Sequence, residues 1–399
     1  MISKKLIELC ISITDCPHST PEWTNGGKLV IRNQYIKNGK MDLSNPSYTT
    51  EQSYLLRRKR AKPCAGDIII TREAPMGEVC MIPEGLECCL GQRMVLLKPN
   101  KAVCDNRYLL YILMSKYVQH QISWSDGTGT TVSNLRIPHL ESLQIPYISL
   151  SEQRAMAATL SCLDNKIELN NKINANLEAQ AQAIFKSWFV DFEPFQDGEF
   201  VESELGLIPK GWRVGKLGDI ARYVGERIPV SHCNTENYIS TENMQVNKQG
   251  VIEATSLPSM PAVSRYEEHD ILISNIRPYF KKIWFSDKVG GCSNDVLVFR
   301  AKHAAFIGVL YSVLYSDTFF EHATATSKGT KMPRGDKTAI MSYPIALPEI
   351  PDSSIYIQQL NIMVLEFQKK ITGLRKENQT LAALRDALLP KLMSGEIEV

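Results

Sequence analysis

Residues 149–195 read SLSEQRAMAATLSCLDNKIELNNKINANLEAQAQAIFKSWFVDFEPF, and this stretch decides the architecture. It holds no glycine, and its first proline is Pro194. Good helix formers fill it. Ser149 with Glu152 three residues later fits a capping box, in which each side chain satisfies a free backbone donor of the first turn. Leu160, Leu163, Ile167, Asn170, Asn174, Leu177, Ala181, Ile184 and Trp188 recur at spacings of three and four. That is a heptad seam, which a lone helix would leave facing water. A helix of about 40 residues spans roughly 60 Å, more than a globular helix needs.

A second copy of this stretch begins near residue 354 as SIYIQQLNIMVLEFQKKITGLRKENQTLAALRDALLPKLMSGEI. A constant shift of 204 positions carries Leu163 onto Phe367, Ile167 onto Ile371, Asn174 onto Asn378, Leu177 onto Leu381 and Ile184 onto Leu388. Two seams of equal length, each with a polar residue near its middle, bury each other most simply as a coiled coil. Gly373 weakens the second copy by about 1 kcal/mol relative to alanine. Pro390 is expected to kink or end it near its last turn.

The repeat extends outward from the helices. Lys216-Leu217-Gly218-Asp219-Ile220 echoes Lys5-Leu6-Ile7-Glu8-Leu9. His269-Asp270-Ile271-Leu272-Ile273 echoes Gly66-Asp67-Ile68-Ile69-Ile70, and IALP at 345–348 echoes LQIP at 143–146. The chain therefore reads as a tandem duplication of domain and long helix. The expected divisions are a first α+β domain at 1–148, a helix at 149–190, an acidic linker at 191–212, a second domain at 213–351, a helix at 352–394 and a tail at 395–399. Segments between the shared strands differ in sequence and length. Two copies of one fold with divergent inserts suggest two different targets.

The 399 residues suffice for two or three domains, and 44% hydrophobic with 22% charged residues is a globular composition. The start lacks the apolar core of a signal peptide, and no apolar run reaches membrane-spanning length. Ten cysteines without a CxxC pair read as thiols of a reducing compartment; Cys88-Cys89 is a weak metal pair. The phosphate-binding, dinucleotide, zinc-protease and serine-hydrolase motifs are missing. NIRPY at 275–279 is a poor match to the motif that holds a target amine in amino-methyltransferases. His18, His139, His232, His269, His303 and His322 are scattered.

A net charge of +2 announces no nucleic-acid binder, so any footprint must be local. Arg57, Arg58, Lys59, Arg60 and Lys62 put five cations in six residues, suited to phosphates. Arg72 follows a framework strand and Gln92 adjoins Arg93; both residue types can read base edges. Thr128 and Thr130 lie in the SDGTGTT loop at 125–131. In the second copy, RPYFKKIW groups Arg277, Tyr279, Lys281 and Lys282, and SKGTKMPRGDK supplies Lys328, Lys331 and Arg334 in the corresponding loop. The competing readings are a coiled-coil scaffold with two protein-binding domains, and a self-contained methyltransferase or nuclease.

ITDCPHSTPEWT at 13–24, GDIIITREAP at 66–75, GTGTT at 127–131, SKGTKMPR at 327–334, the central helix and GLIPKGW at 206–212 resemble the DNA-specificity subunits of Type I restriction–modification systems. The resemblance covers nearly the whole chain. It implies two target-recognition domains, each reading half of a split site in double-stranded DNA, separated by an antiparallel coiled coil. It also implies modification subunits carrying S-adenosylmethionine, and restriction subunits that use ATP and Mg²⁺; the pseudo-two-fold symmetry expected of the duplicated halves would offer two similar surfaces, hence two modification subunits. On this reading the chain binds no cofactor or metal itself, is not catalytic, and works in the cytoplasm without a membrane.

Overall fold

The computed structural model describes residues 2–124, 134–349, 354–394 and 396–397. The first long helix runs Leu150–Phe189. Its capping box is formed: the Ser149 amide donates to Glu152 Oε2 at 2.8 Å, and the Glu152 amide donates to Ser149 Oγ at 3.3 Å. The second runs Ile355–Ser394 and contains Pro390 in its last two turns without ending there. A proline costs one backbone hydrogen bond and a clash one turn earlier. Near a terminus, the buried Leu392 and Met393 beyond it hold the last turn against the core.

The chain divides into two compact units, Met1–Glu168 with Asn378–Val399, and Leu169–Glu377. Each unit thus owns one α+β domain and one half of each long helix. The segment 191–212, read as a linker, is folded within the second unit. Strands Phe200–Ser203 and Gly206–Pro209 form a hairpin. Trp212 is buried against the edges of Phe189, Phe192 and Phe195. Aromatic edge-to-face packing outweighs the acidic, linker-like composition.

In the first unit, Ser3–Lys5 pairs antiparallel with Gln144–Pro146, tying the two ends of the domain together. The central sheet runs Cys10–Asp15, Met94–Pro99, Ile68–Thr71, Val79–Met81, antiparallel throughout. Ile68, Ile69 and Ile70 are all fully buried, as expected of a strand covered on both faces. Helices Asn106–Met114 and Lys116–Ser123 follow, the first capped by Asp105 and the second by Ser115. In the second unit, Trp212–Lys216 pairs with Pro344–Pro348. The sheet Ala221–Tyr223, Val296–Ala301, Ile271–Ser274, Ile283–Phe285 repeats the same order. Helices Ile307–Tyr315 and Asp317–Ala325 follow, with Ser316 as the cap matching Ser115.

Each unit carries a second, smaller sheet, and here the copies part. Lys28–Ile31 pairs parallel with Cys88–Leu90, as Tyr238–Ile239 does with Gly290–Cys292. In the first unit the further strands Ser47–Thr49 and Trp23–Thr24 extend from the Lys28–Ile31 side. In the second, Ala262–Tyr266 and Arg227–Pro229 extend from the other member of the pair.

The helix pairing is antiparallel. Within the second unit Asn170 Nδ2 donates to Glu377 Oε2 at 2.8 Å, and Gln368 Nε2 donates to Glu178 Oε1 at 3.0 Å. Partner numbers fall as the first helix advances. Within the first unit Arg385 Nη1 meets Asp164 Oδ1 at 2.7 Å. Of the seam residues, Ile167, Asn170, Asn174 and Ile371 are buried. Leu163, Leu177, Ile184, Phe367, Asn378, Leu381 and Leu388 are half-buried.

Candidate nucleic-acid interface

The basic run of the first unit forms the last turn of the helix Glu51–Arg60, opened by Thr50, whose Oγ1 accepts from the Ser53 amide. Cations at a helix C-terminus complement its dipole, so the run stabilises its own helix. Helical spacing then divides it. Arg57 lies one turn after Tyr54 and faces inward with it, 3% exposed. Its Nε donates to Leu90 O at 2.7 Å, Nη1 to Ser19 O at 2.9 Å and Nη2 to Pro17 O at 3.1 Å. Arg57 is therefore no phosphate contact, contrary to the sequence expectation. It is a buried brace whose charge is tolerated because carbonyls surround it. Arg58 donates to Tyr54 Oη and lies over that ring at 4.9 Å. Lys59, Arg60 and Lys62 are exposed.

Arg72 is also a brace. Its Nη1 pairs with Asp15 at 2.8 Å, Nε donates to Leu135 O at 3.0 Å and Nη2 to Asn134 Oδ1 at 3.1 Å. A guanidinium neutralised and bonded on three nitrogens offers no free fork to a base edge. The Gln92 amide donates to His18 O and Thr20 Oγ1. Arg93 projects outward, with its backbone at φ 66° and its Nε 3.4 Å from Glu73 Oε2. Thr128 and Thr130 lie outside the described residues.

In the second unit the loops that carry the cations do meet. The Arg277 amide donates to Pro333 O at 2.8 Å, and Arg277 Nη2 reaches Lys331 O at 3.4 Å. A third segment joins them: the Lys248 amide donates to Lys281 O at 2.8 Å. Lys248 and Lys281 share Asp317, at 2.8 and 2.7 Å, and these two bonds hold its carboxyl down to about 2. Lys282 Nζ donates to Thr241 O at 2.6 Å, and burial lowers its pKa from the ordinary lysine value. Lys328 pairs with Asp336, and Arg334 with Asp295 at 2.9 Å. Lys331 and the Tyr279 ring are exposed. Asp295 and Thr241 also line a polar recess of about 360 Å³ with Glu242 and Asn243. Glu253 lines it too, so the recess is acidic, and it is the exposed side chains of the basic loops that suit phosphates.

The model of the Type I restriction modification DNA specificity domain family matches residues 4–179. The MjaIX specificity subunit of a Type I restriction enzyme from Methanocaldococcus jannaschii is 29% identical over 385 residues, 90% of this chain and 85% of that subunit. The putative MjaX specificity subunit of the same organism is 25% identical over 94% of this chain and 88% of its own length. Over nearly its whole length the chain is similar to specificity subunits of Type I restriction enzymes. Its fold is that of the crystal structure of an S subunit from M. genitalium, with TM-score 0.57 at 17% identity, covering 98% of this chain and 95% of that one.

Lys248 is a cation of these loops that sequence reading missed; it and Asn247 both have positive φ. Cys88 and Cys89 are buried strand residues, their thiols pushed up to about 12 and 11 by burial. Among the described residues no group of histidine, cysteine or carboxylate side chains could hold a metal ion. No described helix is long and apolar enough to cross a membrane.

Proposed function

We propose that each unit reads one half of a bipartite site in double-stranded DNA, and that the long helices set the unread spacer. The observation that carries this is the duplication itself: one framework sheet occurs twice, each time with basic side chains at its loops and a second sheet built differently. Identical scaffolds with unlike inserts are suited to two unlike half-sites. Forty residues at ~1.5 Å span roughly 60 Å, which caps the separation at about 17 base pairs. Domain bulk shortens it to about one helical turn between half-site centres.

On this reading the chain is not catalytic. Two modification subunits, one for each repeat, carry S-adenosylmethionine and methylate adenine after flipping it from the duplex. Restriction subunits bring ATP- and Mg²⁺-dependent cleavage, and the assembly works in the cytoplasm. Mapping methylated adenines in DNA treated with the reconstituted methyltransferase tests the proposal. Two short, different half-sites around a fixed spacer are expected; a single continuous site contradicts it. Native mass tests the stoichiometry, and a complex with one modification subunit would count against it. Lys331→Ala is expected to weaken binding evenly across sequences and to lower the salt slope by about 0.9.

A further inference from the structure

One backbone corner recurs in both units, made by the same two hydrogen bonds. In the first, the Arg72 amide donates to Arg93 O at 2.8 Å and the Leu135 amide to Arg72 O at 3.0 Å. In the second, the Asn275 amide donates to Asp295 O at 2.8 Å and the Gly335 amide to Asn275 O at 3.1 Å. These bonds equate position 72 with 275, 93 with 295 and 135 with 335. Their chain neighbours follow: Glu73 matches Ile276, and Asn134 matches Arg334.

The side chains at these equated positions converge in both copies. Glu73 pairs with Arg93 at 3.4 Å and accepts from Asn134 Nδ2 at 2.7 Å. In the second unit Asp295 pairs with Arg334 at 2.9 Å, and Ile276 bridges to Arg334 through the backbone. Each corner so carries one outward arginine in contact with an acid; Arg72, held inward by Asp15, is not the outward one. The arginines are more than half exposed, Arg93 at 54% and Arg334 at 56%. Yet their origins are exchanged. The guanidinium comes from the residue just before the strand Met94–Pro99 in the first unit and from the loop in the second; the acid has moved as well.

Stability does not account for this pairing. A surface ion pair contributes about 0–1 kcal/mol. Nor does descent by duplication alone, because the matching positions hold different residues. What persists is an outward guanidinium, steadied by one carboxylate, at a fixed place on the shared sheet. A guanidinium has five donors, and one carboxylate contact leaves enough of the fork for a bidentate partner. In duplex DNA that partner is the O6 and N7 edge of guanine, the commonest specific arginine contact.

We propose that Arg93 and Arg334 are the corresponding base-reading residues of the two units, each addressing a guanine in its own half-site, with Glu73 and Asp295 as positioning residues. This rests on the bipartite reading above.

The test uses the full chain assembled with its modification subunits, with methylated sites mapped across genomic DNA. Arg93→Ala is expected to relax one base pair of one half-site by roughly 5- to 150-fold, leaving the other half-site intact. Arg334→Ala is expected to do the same in the other half-site. Glu73→Gln and Asp295→Asn should relax the same positions partially. The untouched half-site in each variant reports that the chain is folded. Unchanged preferences at every position, or a loss spread evenly over both half-sites, would overturn the inference while the bipartite reading stands. A wild-type map without two half-sites would remove that reading and this inference together.

Discussion

The two units keep one sheet down to single hydrogen bonds and rebuild the rest. The Gly66 amide donates to Ile82 O and the Ile82 amide to Asp67 O; His269, Ser286 and Asp270 repeat both bonds. Asp67 pairs with Lys98 at 3.0 Å, and Asp270 with Arg300 at 2.7 Å, at matching places. Where the domains grip the long helices, the copies differ. Tyr111 donates to Asp164 at 2.6 Å, itself paired with Arg385. In the second unit Tyr311 donates to Glu178 at 2.8 Å, which also accepts from Gln368. Asp164 matches Gln368 under the repeat, and by the Ser115–Ser316 match Tyr111 falls on Ser312, so both the acid and the tyrosine are sited anew in the second unit. Buried backbone bonds and packed strands leave little freedom. A side-chain pair is satisfied whichever partner supplies the charge.

Four predictions probe that contrast. The largest effect is expected at the Arg57 brace of the first unit. Arg57→Ala strands three carbonyls, and should lower the unfolding free energy of that unit by about 3 kcal/mol. Arg60→Ala on the same helix should change it by less than ~0.5 kcal/mol in denaturant titration. Equal effects would show that the run acts as a solvated face.

The shared acid comes next. Asp270→Asn loses a carboxylate that takes Arg300 Nε and Nη2 at 2.7 Å each. That bond is the chief reason the Arg300 guanidinium stands above its ordinary value. We expect about 2 kcal/mol, against about 1 kcal/mol for Asp67→Asn, whose only cation is one lysine nitrogen beside the Cys64 amide at 2.9 Å. The reverse order would break the equivalence.

The third concerns pH. Burial raises the Glu178 carboxyl above its ordinary value of 4.5, opposed by bonds from Gln368 and Tyr311 and by the charges of Arg375 and Lys248. The folded chain therefore holds a proton that the unfolded chain releases. This contribution is full below pH 4.5 and is lost as pH rises through the raised value. Glu178→Gln should flatten that fall, read as hydrogen exchange at this helix turn, and should change nothing below pH 4.5. An unaltered pH profile would mean that the group stays ionised. The smallest effect belongs to Gly373, where an added Cβ meets nothing within 4 Å and the repeat has Leu169. Gly373→Ala should stabilise the helix by about 0.5–1 kcal/mol in thermal unfolding.

Long-range regularities were legible in the sequence because they recur. The Ser149–Glu152 box and the seam at 163–184 depend on spacing alone. Pro390 misled because local propensity says nothing of the packing that Leu392 and Met393 gain beyond it. The charge count around Arg57 and Arg72 misled in the same way: composition does not tell an inward helical face or a strand corner from an outward one. Tyr54, three residues before Arg57, was the available sign. Lys248 was hidden because its neighbours at 280–282 are distant in the chain. The second sheet was illegible altogether, since its short strands pair across inserts that the two copies do not share.

The most direct test lengthens both long helices by one heptad, at residues 168 and 378, and maps the methylated sites of the assembled enzyme. Seven residues add about 10.5 Å, or roughly three base pairs. The account predicts an unread spacer longer by that amount around unaltered half-sites. An unchanged spacer, or new half-site sequences, would contradict it.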